Sequence, residues 1–402
     1  MASIALRILV PLAAPLLAAA GCRAERPHTV ASPVLPAPVA RTDASAPDAS
    51  TVGAIPGGRG VDATPSVSVP RGVGKRVAEI RVVDDARFWL LADGRAWETR
   101  DGGASFVDRT PFARARDDEE GWKEAWSLLV SPSQVFILRG DVELATWMTL
   151  FVSGDGGASF VERRVPRLRD GRRAWLQRGP AAGSILVLRS DGGGMNSHAT
   201  SLLETRDAGA SFRALGTKVG YGAVTFQTPK HWWSAGTCCA GESSVYRSLD
   251  AGRSWKLVQE GTSAWEPVSD VVFVDASRGY RVVRANDEEA LALERTGDGG
   301  RSFQRVMPPS VETALLVADR DACVLVDDRS VPAITRDMGA TWSSLAPLPK
   351  DMSSPRELVR APHGWFAIVS ATDTASAILL LRDGAGTWEE LSPSWVEPPA
   401  TR

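Results

Sequence analysis

An eight-residue unit recurs seven times along this 402-residue chain and limits what it can fold into. The first copy reads Thr99-Arg100-Asp101-Gly102-Gly103-Ala104-Ser105-Phe106. Ser153 to Phe160, Thr205 to Phe212, Ser248 to Trp255, Thr296 to Phe303 and Thr335 to Trp342 repeat it, and Leu381 to Trp388 is a weaker copy with Ala385 where the others have glycine. The template is Ser/Thr-x-Asp-x-Gly-x-Ser/Thr-aromatic. Each copy lies between strand-like runs and so reads as the turn of a β-hairpin. Asp and Ser/Thr side chains bond turn amides that no ladder partner reaches, glycine supplies a positive φ, and the closing aromatic anchors the turn. Asp101, Asp155, Asp207, Asp250, Asp298, Asp337 and Asp383 are therefore read as structural carboxylates, not catalytic ones. They fall 39 to 54 residues apart. Four short strands per period of about 40–50 residues make a propeller blade. The expected fold is all-β, a seven-bladed β-propeller of four-stranded antiparallel blades over residues 72–392, with 393–402 as a C-terminal tail.

This octet resembles the Asp-box or BNR repeat of sialidases, xyloglucan-hydrolysing enzymes, sortilin-type receptors and photosystem II assembly-factor propellers. Val271-Val272-Phe273-Val274-Asp275 followed by Arg278-Gly279-Tyr280 is particularly similar to the assembly-factor branch. The superfamily mixes enzymes with binding proteins, so the resemblance implies a fold more than an activity. A sialidase of this type needs an Arg triad, a Tyr nucleophile with a supporting Glu, and an acid Asp. Its usual Arg-Ile-Pro motif is missing before Asp101, where Ala86-Arg87-Phe88-Trp89 stands. A xyloglucan-type hydrolase needs two opposed Asp across a cleft, usually with two propellers. The resemblance therefore implies a binding or assembly scaffold, with a sialidase-like or xyloglucanase-like glycoside hydrolase as the alternative.

Residues 1–21 read as a lipoprotein signal peptide: Arg7, then the apolar run Ile8 to Ala20, then Leu17-Ala18-Ala19-Ala20-Gly21-Cys22 across its end. Cys22 is the expected lipidation site, ordinary secretion with cleavage near Ala20 being the other reading. Residues 22–71 are rich in Pro, Ala, Ser and Thr and poor in aromatics, which predicts a disordered tether. The chain is expected in the cell envelope, at the outer membrane of a Gram-negative bacterium, touching the membrane through its lipid alone. A net charge of −2 gives no pull toward nucleic acid. Cys238 and Cys239 are adjacent and read either as a vicinal disulfide or as two thiols in a loop. No Cys/His spacing suits a metal, and no cofactor is expected.

In a four-stranded meander, turns between third and fourth strands share a face with turns between first and second. The octets are third-to-fourth turns, so variable loops and inter-blade connectors occupy the other face, where function is expected. There the connector after the second blade carries Arg163, Arg164, Arg167, Arg169, Arg172 and Arg173, forks suited to an anion or an acidic partner, or simply a solvated loop. Trp122 reads either as packing between blades or as a platform for a sugar ring, and His198 ends a Gly-rich loop. The partner class is an envelope protein or a glycan.

Overall fold

The computed structural model describes residues 73–112, 123–141, 147–166, 173–190, 199–219, 224–238, 242–259, 268–284, 291–306, 315–319, 322–326, 332–349, 352, 355–371 and 375–397. Within them the chain forms successive sheets in meander order. The first sheet holds Val77–Val82, Phe88–Ala92, Arg95–Thr99 and Ser105–Asp108; the second Lys123–Val130, Val135–Asp141, Met148–Ser153 and Val161–Val165. The third holds Arg173–Arg178, Ile185–Ser190, Ala199–Thr205 and Arg213–Val219; the fourth Val224–Phe226, Trp232–Cys238, Glu242–Ser248 and Lys256–Gln259. Val268–Phe273, Gly279–Arg284, Leu291–Thr296 and Gln304–Val306 follow, then Leu315–Asp319, Ala322–Val326, Pro332–Thr335 and Ser343–Ser344. The last sheet is Glu357–Ala361, Gly364–Ser370, Ser376–Arg382 and Glu389–Glu390.

The first strand of each sheet lies beside the first strand of the next, and the last sheet returns to the first, so the strands line a closed ring. This is a β-propeller. Its core is divided, as stacking of neighbouring sheets requires. Apolar clusters fill the seams: Trp89 and Leu91 meet Leu128 and Ile137 between the first two sheets, and Phe88 and Ile80 meet Phe366 and Ile378 between the last and the first. A middle strand is therefore buried on both faces, which is why Phe88-Trp89-Leu90-Leu91 is apolar without alternation. Trp97 and Trp232 are fully buried, and Trp365 nearly so.

The octets sit at third-to-fourth turns, as the strand order predicts. Thr99 Oγ1 donates to Asp101 Oδ1 at 2.7 Å and accepts from Gly103 N at 3.0 Å. Asp101 Oδ1 accepts from Ser105 N at 2.9 Å, and Oδ2 from Ser105 Oγ at 2.5 Å. The same set recurs around Asp155, Asp207, Asp250, Asp298 and Asp337. Asp383 differs: Arg360 grips both its oxygens, at 2.7 and 2.8 Å, because Leu381 brings no hydroxyl to start the network. The octet also bonds the first-to-second turn of its own sheet, as Gly102 N does to Ala86 O at 2.9 Å, which puts both turns on one face.

These bonds favour ionised aspartate. The Ser105 hydroxyl and amide, with Thr99, hold the Asp101 carboxyl at about 2, and matching groups hold Asp207, Asp298 and Asp337 at about 2. A carboxyl held below its unfolded value of about 3.9 stabilises the fold above that pH and loses its contribution as pH falls toward 2. The melting temperature is accordingly expected to drop between about pH 4 and pH 2, and less steeply in Asp207→Asn. A flat profile in that window, followed by tryptophan fluorescence, would show the turn carboxylates to be silent.

The expected uniform blade is met by six four-stranded antiparallel sheets; the first sheet departs from it with five strands. Ser394–Val396 adds to the outer edge of that sheet, parallel to Ser105–Asp108 and pairing Trp395 with Phe106. Trp395 stacks on Phe106 with centroids 5.1 Å apart, meets Trp97 edge-on at 4.8 Å, and donates its Nε1 to Val73 O at 2.9 Å. The chain's C-terminal side thus closes the ring. The alternating run Ser66-Val67-Ser68-Val69, which also reads as a strand, lies outside the described residues.

Candidate functional site

Strand direction places the inter-sheet connectors away from the octets. The fourth strand of the second sheet leaves its octet at Val161, opposite Val152, and reaches the far face at Val165, opposite Met148. The next strand begins there, with Arg173 opposite Ser190. The described residues on either side of 167–172 therefore stand at the predicted face, but the arginine-rich run is split. Arg163 and Arg164 are not in the connector; they pair with Leu150 and Thr149 inside the strand. Arg163 is half-buried there, its Cγ and Cβ lying 3.2 and 3.3 Å from where a methyl on Gly209 of the next octet would sit, because the seam must be filled by whatever the strand supplies. Arg164 is exposed. Arg173 opens an inner strand, while Arg167, Arg169, Arg172, Trp122, His198, Cys22 and Cys239 lie outside the described residues. Cys238 ends the second strand of the fourth sheet.

The described side chains converge instead on the wall of the channel. Inner strands of neighbouring sheets share no ladder, so their amides need other acceptors. Side chains from the preceding sheet supply them. Glu357 Oε2 accepts from Ile80 N at 2.8 Å, Glu79 Oε2 from Leu128 N at 2.9 Å, Ser127 Oγ from Leu176 N at 3.1 Å, Gln177 Oε1 from Val224 N at 3.1 Å, and Thr225 Oγ1 from Phe273 N at 3.1 Å. Glu79 and Ser127 occupy one register position, three residues along from the octet-facing pair of each sheet, and Glu357 lies four along from that of the last sheet. Glu79 and Ser127 each follow a bulge there. Sequence reasoning missed this belt, since no local pattern marks a residue that serves the neighbouring sheet.

Arg81 ties the belt together at the junction of the first, second and last sheets. Its Nη1 meets Glu357 Oε1 at 2.5 Å, its Nη2 meets Glu79 Oε2 at 3.2 Å, and its Nε donates to Leu128 O at 3.0 Å. Glu79 Oε1 accepts from Ser127 Oγ at 3.1 Å. Burial pushes the Glu79 carboxyl above its ordinary value, against the opposing pull of Arg81 and the Leu128 amide. Each oxygen of both carboxylates has a protein donor. Among the described residues no group of His, Cys, Asp and Glu could hold a metal.

On the octet face, the last and first sheets are joined by His363. Its backbone N donates to Asp85 Oδ1 at 3.2 Å and its Nδ1 contacts Asp85 Oδ2. The hydrogen bond and charge of Asp85 raise the His363 imidazole above its ordinary value. The contribution of this contact is present below about pH 6.5 and is lost as pH rises through the raised value. In an NMR titration the His363 ring is expected to titrate above about 6.5, and Asp85→Asn to return it there; an unchanged midpoint in Asp85→Asn would refute the pairing.

No family model and no curated protein matches this sequence. Solved structures do match in fold. One titled "YCF48 bound to D1 peptide" is 16% identical, with 79% of this chain and 94% of that chain covered and a TM-score of 0.55. The GH74 xyloglucanase from Xanthomonas campestris is 16% identical over 81% of this chain and 55% of its own, TM-score 0.54. A Mycobacterium tuberculosis puromycin-hydrolyzing peptidase is 14% identical over 79% of this chain and 53% of its own, TM-score 0.56. The chain thus spans about half the length of those two enzymes. Likeness at such identities establishes architecture alone, and the chain is an all-β propeller of four-stranded antiparallel blades.

Proposed function

We propose that this chain is an Asp-box propeller lipoprotein, held in the cell envelope through Cys22, that binds or assembles a partner on the face opposite its octets. One observation carries this reading. The carboxylates gathered on the channel wall are already committed: Glu79 and Glu357 serve the amides of the neighbouring sheet and the Arg81 guanidinium. A general acid or nucleophile needs a free oxygen facing substrate. The fold likeness to a peptide-bound YCF48 is in keeping with an extended peptide of an envelope protein as partner.

A glycoside hydrolase is the second reading, and the raised Glu79 carboxyl favours it, because a general acid draws on a carboxyl lifted above its ordinary value. Full-length protein assayed on sialoside, xyloglucan and aryl-glycoside panels separates the two. The scaffold reading expects no turnover above blank. Turnover that falls about 100-fold or more in Glu79→Gln or Glu357→Gln would overturn it.

A further inference from the structure

The fourth sheet carries, at its octet-face corner, three of the five large apolar side chains exposed among the described residues: Leu249 at 51%, Leu257 at 44% and Val258 at 42%. Their exposure has a physical cause. The third residue after an octet aromatic ordinarily fills the seam to the next sheet, as Val306 does beneath Gly339 and Leu391 beneath Gly103. In the fourth sheet Trp233 fills that seam, its ring lying where a methyl on Gly300 would fall 2.6 Å away. A bulge between Val245 and Tyr246 leaves Val258 unpaired and turned out to solvent. The first sheet solves the same seam with Trp89, but its corresponding third residue is Arg109, which donates its Nε to Glu98 Oε2 at 3.1 Å. Leu249 is the second octet residue, where the other copies have Arg or, in two, Gly. Packing demands none of these three exposed side chains.

Cations surround them. Lys230, Arg253 and Lys256 on the same sheet are exposed, and Arg301 and Arg305 are exposed at the corresponding corner of the next. The octet carboxylates nearby, Asp250 and Asp298, have both oxygens bonded within their own turns. Asp275 is paired with Arg278 at 2.6 Å. Five cations against the two ionised octet carboxylates leave this exposed hairpin edge, with its apolar side chains, net positive.

We propose that this corner docks on an anionic bilayer surface, with Leu249, Leu257 and Val258 entering the headgroup boundary and the five cations facing acidic headgroups. The bulge that breaks the outer edge of this strand counts against its taking an added peptide strand. The surface lies on the face away from the proposed partner-binding loops, so a docked propeller would present those loops outward.

The test uses the full chain carrying Cys22→Ser, so that no lipid is attached, with vesicles of phosphatidylcholine alone or with about 30% phosphatidylglycerol. Backbone exchange over residues 245–258 is expected to slow with the anionic vesicles alone. Arg253→Gln with Lys256→Gln is expected to weaken anionic partitioning by about 10-fold or more, at about 5-fold per cation. Leu249→Ser with Leu257→Ser is expected to weaken it further without altering the melting temperature, since neither side chain is in a seam. Unchanged exchange at this hairpin, partitioning equal in parent and variants, or protection of this edge by an acidic apolar peptide but not by vesicles would each overturn the proposal.

Discussion

Trp89→Ala is expected to lower the unfolding free energy by about 3–5 kcal/mol, read as a reduced denaturant midpoint at constant slope. Trp89 has no exposed surface and forms part of the seam between the first two sheets. Its ring lies so close to the second octet that a methyl on Gly157 would be 2.5 Å from it. Truncation leaves a cavity bounded by a ladder on one side and a rigid turn on the other, and neither collapses easily. Gly157 has φ +94°, so Gly157→Ala adds backbone strain to that collision. In the Trp89→Ala background only the strain remains. The two changes are thus expected to be less damaging together than their sum, by about 1 kcal/mol or more. Strict additivity would mean that the ring and the turn do not meet.

Trp395→Ala is expected to cost about 2–4 kcal/mol and to release the C-terminal segment to proteolysis before the rest of the ring unfolds. The indole joins three parts of the chain: Phe106 and Trp97 of the first sheet, the Val73 carbonyl at the entry to the propeller, and Lys75, whose Nζ lies 5.1 Å from one Trp395 ring and 4.5 Å from the Trp97 ring. Val73 and Lys75 in turn exchange backbone bonds with Ser376 of the last sheet, at 2.8 and 2.9 Å. Loss of one ring therefore loosens both ends of the closure. A melting temperature within a degree or so of the parent would assign closure to the backbone pairing of Ser394–Val396 alone.

The octets were legible because a turn needing Asp, a left-handed residue and a hydroxyl in fixed order writes those needs within eight positions. The middle strands were legible because burial on two faces removes alternation, as in Phe88-Trp89-Leu90-Leu91. The closing strand was not: three residues with no octet carry no period, and their partner lies some 290 residues away. Arg163 and Arg164 read as connector because charge looked like solvent exposure, yet a long side chain can fill a seam with its stem. The channel belt was hidden for a related reason. Glu79 and Ser127 share a position, with Glu357 one residue further along, only once the sheets are set side by side.

Because Val77–Val82 and Ser394–Val396 lie at opposite margins of one sheet, force applied at the two chain ends would be borne across that sheet before it reached any other. Such a load peels rungs in turn and does not shear them together. The molecule would then yield like a bracelet at its fastener, with the remaining links intact.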